Sequence, residues 1–424
     1  MDFITIAVLV GTLLILLVLG VPVAFALGLA GITAILIEGP QFLIQLPITL
    51  IRSFSDVILI AVPLFILMGE ILYRGKVGQQ LFDMANAWLG RARGGTGMAA
   101  VFAFTFFAAI VGSSMASVLS IGKVAIPEMQ KRGYNKRLSY GLTAVGGSLG
   151  ILIPPSIPLI IYASLSDTSP GKLFMAGVLP GLFIAFLLVA WCAWKSPRTQ
   201  HNDAFSLKQA MLKTFQSLPD LMLPIVVLGG IYLGIYTPTE AAAVGVIYAI
   251  FLTMVVRRTI KPRDLPSILK EALKSNAMLL TIILGAMLFG SALTLIGLPH
   301  MLASATQDSG LPQWGVLLMF SLIWLVMGCF LEVISIILIT VPVFFPIAVA
   351  AGVDPIWFGI FMVISMEISV ITPPVGMNLF AIKSILPHES LGAITKAAVP
   401  SLAILLIGLL VIWLFPEMAL LLSK

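Results

Sequence analysis

The chain has 424 residues, of which 60% are hydrophobic and only 10% charged, with a formal net charge of +6 and a mean hydropathy of +1.12. That balance excludes a soluble globular domain, because almost every window of about 20 residues is apolar enough to cross a hydrocarbon core about 30 Å thick. The basic excess does not indicate nucleic-acid binding either, since the Lys and Arg residues sit in short loops between apolar stretches; the partner that composition implies is the lipid bilayer.

From the N-terminus, the pattern predicts spans near 3–20 and 22–37, a partly amphipathic external stretch at 40–55, and a span at 57–73. The start Met1-Asp2-Phe3 has no basic region and no small-residue cleavage site follows Gly20, so the first stretch reads as a retained span. Segment 95–130 begins after Arg93 and ends before Lys131 on one side of the membrane, and is therefore predicted to enter and turn back at Gly112-Ser113-Ser114. A crossing at 138–166 is interrupted at Pro154-Pro155, and 172–194 crosses back. Spans follow near 217–235, 238–256 and 277–297, then a second hairpin over 312–350 with its tip near Gly328-Cys329, a broken span over 356–386 centred on Pro373-Pro374, and a last span at 397–421.

Landmarks recur at an offset of about half the chain. Pro22 and Pro238, Gly69 and Gly285, and Gly112 and Gly328 lie 216 positions apart; Pro154 and Pro373, and Pro47 and Pro266, lie 219 apart. A repeated unit follows. Eighteen of the 24 Lys and Arg residues fall in the loops 74–93, 131–137, 195–213 and 257–274, which the positive-inside rule places in the cytoplasm. The offset-related stretches are poor in basic residues: 38–56 carries only Arg52, and 297–312 and 347–357 carry none. The expected fold is thus an all-α polytopic membrane protein of two inverted-topology repeats, 1–215 and 216–424. Each has about five crossings and one re-entrant hairpin, and both termini are periplasmic.

Two consecutive prolines remove backbone donors and clash with the preceding turn, so neither broken span can be one continuous helix. In lipid such breaks persist only where protein or a polar cavity satisfies the freed carbonyls, and paired breaks point to an ion and substrate site. Unwound carbonyls and hydroxyls suit a hard cation such as Na⁺. The candidate cation ligands are Ser113, Ser114, Gly150, Ile153 and Pro155 in the first half, and Gly328, Glu332, Thr372, Pro374, Gly376 and Met377 in the second. Ser114, Ser156, Thr372 and Asn378 are the candidates for binding substrate. One ion site is expected between each hairpin tip and the nearby break. Among the acidic residues, Glu240 closes the capping box Thr237-Pro238-Thr239-Glu240 and reads as structural. Glu70 lies near a helix end. Glu332 and Glu367 are candidates either to tune the ion site or to carry a proton.

Enzymatic readings find no support. His201, His300 and His388 are scattered through predicted loops, Cys192 and Cys329 offer neither a disulfide framework nor metal spacing, and no phosphate-binding glycine loop occurs. A channel is disfavoured by the lack of a like-charge ring or filter repeat. A proton-coupled carrier of the same fold remains open, with Glu332 or Glu367 essential.

Several motifs in order carry a resemblance across essentially the whole chain. Ala61-Val62-Pro63-Leu64-Phe65-Ile66-Leu67-Met68-Gly69-Glu70, Ile126-Pro127-Glu128-Met129 with Gly133-Tyr134, Ile153-Pro154-Pro155-Ser156-Ile157-Pro158, Tyr236-Thr237-Pro238-Thr239-Glu240 and Thr372-Pro373-Pro374-Val375-Gly376-Met377-Asn378 resemble the large membrane subunit of TRAP transporters, the tripartite ATP-independent periplasmic carriers. The resemblance implies an elevator-type carrier of the bacterial inner membrane, driven by a sodium gradient. It implies a periplasmic binding protein that delivers an organic anion such as a C4-dicarboxylate or sialic acid, and a separate small four-helix membrane subunit. It also implies Asp more often than Glu at position 332.

Overall fold

A computed structural model describes residues 3–196, 206–308, 310–374 and 376–423. Arg198 and His201 lie outside the described residues, as does the side chain of Arg52. Every regular element among the described residues is helical, as composition requires. Seven helices are long and apolar enough to cross a membrane: Val57–Arg74, Pro170–Lys195, Leu207–Tyr232, Pro238–Val256, Pro262–Ile296, Val333–Ala350 and Leu391–Leu414. Shorter apolar helices supply the remaining predicted crossings and hairpin arms.

In the first half the order is α1 (Phe3–Val18), α2 (Val23–Glu38), α3 (Gln45–Ser55), α4 (Val57–Arg74), α5 (Val77–Leu89), α6 (Gly95–Val111), α7 (Ser114–Lys131), α8 (Lys136–Ser148), α9 (Ile157–Ser166) and α10 (Pro170–Lys195). The second half has α11 (Leu207–Tyr232), α12 (Pro238–Ile250), α13 (Leu265–Ile296), α14 (Leu298–Asp308), α15 (Gln313–Gly328), α16 (Val333–Ala350), α17 (Pro355–Ser369), α18 (Met377–Ile385), α19 (Leu391–Ala398), α20 (Leu402–Leu414) and α21 (Glu417–Leu420).

Both predicted hairpins are helix-turn-helix units, α6–α7 and α15–α16, and both broken spans separate at the double prolines, α8 from α9 and α17 from α18. The loops predicted at 74–93 and 297–312 instead contain α5 and α14, so His300 is helical. Charge in α5 and polarity in α14 mask their apolar stripes from a hydropathy window. The second part of the basic loop predicted at 257–274 instead belongs to α13, a single helix of 32 residues that begins at Leu265.

One group of helices comprises α1, α2, α4, α11, α12 and α13, with α2 packed along α13 and α4 along α12. Under the repeat offset these two contacts correspond to each other. The α2–α13 seam is a backbone contact: a Cβ on Gly285 would lie 2.0 Å from the Ala24 carbonyl oxygen. Small residues permit such approaches in lipid, where packing replaces the hydrophobic effect between helices. The other group gathers α6–α10 and α15–α20. Its second half carries an aromatic cluster in which the Phe320 and Phe344 rings stack at 4.1 Å and Trp324 Nε1 donates to Thr340 Oγ1 at 2.9 Å. The two groups meet where α4 touches α6 and α9 and where α13 touches α16.

The capping box at α12 forms as the sequence indicated: Glu240 N donates to Thr237 Oγ1 at 3.3 Å and Thr237 N to Glu240 Oε2 at 2.8 Å. This helix continues into a π-helical turn, Phe251–Val256, after which Arg257 pairs with the fully buried Asp220 of α11.

Candidate functional site

Each hairpin tip abuts the break of its own half. In the first half Gly112 ends α6 in the left-handed region (φ 64°), and a Cβ there would lie 2.5 Å from the Pro155 carbonyl oxygen. A Cβ on Gly150 would meet the Ser113 carbonyl oxygen at 2.8 Å and Ser117 Oγ at 3.1 Å. Ser113 caps α7, accepting from Ala116 N, and its carbonyl accepts from Ser117 Oγ at 2.8 Å. Carbonyl and hydroxyl oxygens thus converge where only glycine permits backbone contact. In the second half Gly328 lies against Ser369, and Cys329 Sγ donates to the Pro373 carbonyl at 3.2 Å. Both double prolines have a cis peptide between their two members.

The structure therefore brings Ser113, Gly150 and Pro155 together, with Ile153 buried in the same turn. In the other half Gly328 and Cys329 meet Ser369 and Pro373. Thr372 Oγ1 donates to the Ile368 carbonyl at 2.7 Å at the end of α17, where Ile371 N and Thr372 N close tighter turns on the Ile368 and Ser369 carbonyls and Asn378 N donates to the Val370 carbonyl at 3.2 Å. Gly376 takes φ 58° as α18 begins, and Pro374 is exposed. Carbonyl and hydroxyl oxygens at both junctions are of the donor type that suits a hard cation.

A cavity of about 470 Å³ lies between the hairpin tips, the start of α18 and helices α4 and α13. Its polar walls include Ser113, Ser114, Glu332 and Asn378 from the hairpin group, and Glu70, Tyr73 and Ser275 from the other. Glu332 stands at the start of α16, outside the helix interior, and faces this space. Glu70 pairs with Arg74 one turn along α4, at 3.1 Å.

Two predicted substrate residues have other engagements. Ser156 is fully buried, caps α9 and donates to the Ile151 carbonyl. Asn378, 1% exposed, accepts from Ser114 Oγ through Oδ1 and donates through Nδ2 to the Ala144 carbonyl at 2.9 Å. It ties the first hairpin tip and α8 to the second break, across the two halves. Ser117 and Ser369, absent from the sequence-based set, sit at the junctions; Ser117 follows Ser113 by one turn, and Ser369 precedes Thr372 by three residues. Glu367 lies in the core of α17, fully buried, and neither carboxyl oxygen has a partner among the described residues.

An all-helical multi-pass chain with two interrupted helices and two hairpin tips around one cavity defines a membrane permease. Residues 10–418 match the model of the DctM component of tripartite ATP-independent periplasmic transporters. The chain is 42% identical over 397 residues, 93% of each chain, to the C4-dicarboxylate TRAP transporter large permease protein DctM of Pseudomonas aeruginosa. It is 36% identical to the isethionate TRAP transporter permease protein DctMQ of Oleidesulfovibrio alaskensis, covering 95% of this chain and 64% of that one. Identity to the sialic acid TRAP transporter large permease protein SiaM of Vibrio cholerae is 33%, over 96% of each. The YdaH transporter of Alcanivorax borkumensis shares the fold, with a TM-score of 0.62 at 16% identity over 91% of this chain and 88% of that one. The chain belongs to the DctM family: it is a large permease component of a TRAP transporter, an inner-membrane multi-pass protein and not an enzyme.

Proposed function

We propose that this permease couples inward sodium movement to uptake of an organic anion, a C4-dicarboxylate or a sialic-acid-type carboxylate, handed over by a periplasmic binding protein. Its two halves, 1–215 and 216–424, are inverted repeats, and both termini lie in the periplasm. A separate four-helix membrane subunit completes the assembly. One Na⁺ sits at each hairpin–break junction. In the first half it is held among Ser113, Ser114, Gly150, Ile153 and Pro155; in the second among Gly328, Glu332, Thr372, Pro374, Gly376 and Met377. Bound sodium offsets repulsion between unwound carbonyls and orders the tips, so that the cavity receives a carboxylate. The group α6–α10 with α15–α20 then slides as an elevator against the group built on α2, α4, α12 and α13.

The observation that carries this reading is the convergence of each glycine hairpin tip on its own double-proline break beside one shared cavity. Substrate class follows from the relatives' names. Glu367, buried and without a partner among the described residues, favours one second reading, coupling to protons. Proteoliposomes holding this chain, its small subunit and binding protein test both, with labelled succinate and N-acetylneuraminate under a sodium or a pH gradient. Uptake that needs sodium and the binding protein, and survives Glu367→Gln, supports the first reading. Uptake that follows the pH gradient without sodium, and is lost in Glu367→Gln or Glu332→Gln, supports the second.

A further inference from the structure

The charge of the cavity is at odds with an anionic cargo. Among the described residues its lining includes two carboxylates, Glu70 and Glu332, and no lysine or arginine. Of the basic groups beside its mouth, Arg74 is engaged by Glu70.

Lys123 stands apart from that arrangement. It lies on α7, nine residues after the hairpin tip at Ser114, and therefore about 12 Å short of Lys131 at the helix end by the α-helical rise. It follows Leu119 by four residues and so shares its face of the helix, and Leu119 lines the cavity. Its ammonium donates to Tyr73 Oη at 3.3 Å, and Tyr73 lines the cavity from the opposing helix α4. No carboxylate among the described residues lies within 4 Å of it. Lys123 is exposed beside the cavity, and its ammonium, which among the described residues is hydrogen-bonded to a neutral phenol, adds positive charge at the rim of an otherwise acidic cleft.

We propose that Lys123 is the anion-escort residue of this permease: it meets the carboxylate of the cargo at the cavity mouth and hands it toward the helix end that carries Lys131. This rests on the functional reading above. On this reading Tyr73 holds the ammonium in place while the cavity is empty, and the cargo's carboxylate displaces the phenol. Lys123 is part of the hairpin, so the charge travels with the site, whereas Arg74 remains on α4.

Two measurements test it. The first needs no substrate. Leu119→Cys is introduced beside Cys192→Ala and Cys329→Ala, and the new thiol is titrated with anionic and cationic methanethiosulfonates of similar size. Lys123→Met is expected to shift the anion-to-cation rate ratio toward the cation by about fivefold, as for one unit charge within about 8 Å acting on probes two charges apart. Lys123→Arg is expected to keep the original ratio. The second is counterflow of labelled succinate from the side bearing Lys131: Lys123→Met should raise the half-saturating concentration several-fold, and Lys123→Arg should restore it. An unchanged labelling ratio in monodisperse Lys123→Met protein overturns the proposal, as does a shifted ratio with unaltered counterflow. If the unsubstituted protein carries neither succinate nor N-acetylneuraminate, the functional reading fails, and the labelling ratio still decides whether Lys123 sets the field of the cavity.

Discussion

Replacing Asn378 by alanine removes a side chain that joins the first hairpin tip, α8 and the second break. Two hydrogen bonds disappear, one from Ser114 Oγ and one to the Ala144 carbonyl. Removing a partner costs about 1 kcal/mol per bond where water replaces it and about 2 kcal/mol where the remaining group stays buried and unpaired, so a total loss of about 2–4 kcal/mol is expected. If half of this falls on the ion-competent arrangement of the tip, the half-saturating sodium concentration rises about 5- to 30-fold. The assay is thermal unfolding of the purified protein across a sodium titration, since an ion that binds only the folded state raises the midpoint by mass action. Ser114→Ala and the double substitution complete a cycle, with an expected coupling of about 1 kcal/mol between the two positions. Unchanged sodium dependence in Asn378→Ala, or strict additivity in the cycle, would refute the bridge.

Two further outcomes follow from buried polar contacts. Asp220 is fully buried and paired with Arg257, so Arg257→Met should destabilise the folded protein by about 3–5 kcal/mol, whereas adding Asp220→Leu should recover much of that loss; thermal unfolding in detergent checks both. Asp56 caps α4 through Ile58 N at 2.8 Å and accepts from Ser164 Oγ of α9, linking the two helix groups at the end of α4 remote from the cavity mouth. Ser164→Ala leaves the cap intact and removes the link. It should shift the balance between the two access states by about 1 kcal/mol, read as a changed accessibility of thiols placed at the two ends of α4; identical accessibility would dissociate this contact from alternation.

The chain's own covalent chemistry determined much of this protein. Pro154-Pro155 and Pro373-Pro374 interrupt their helices wherever they are placed, because the missing donors and the ring clash are properties of proline, and both breaks appear where the sequence located them. Gly112-Ser113-Ser114 likewise announces a turn, since glycine reaches the left-handed region and serine caps the helix that follows. The capping box at Thr237 is equally local. Ser156 was legible in a different sense from the one first assigned: a serine preceding Ile157-Pro158 is an N-cap signal, and its hydroxyl serves the helix. The helices α5 and α14 stayed hidden because amphipathic segments dilute the hydropathy average that detects spans.

What only the tertiary structure decided is which of these local features meet. Ser114 and Asn378 are 264 positions apart, and their bond exists because two hairpins and two breaks pack around a common cavity. Ser117, Ser369, Tyr73 and Lys123 carry no signal in a pattern of apolar residues, since a hydroxyl or an ammonium on a helix is assigned a role only by what the opposing helix presents to it. Local rules govern where a backbone must break or turn; the partners of a freed carbonyl are fixed by packing between segments that no local rule relates.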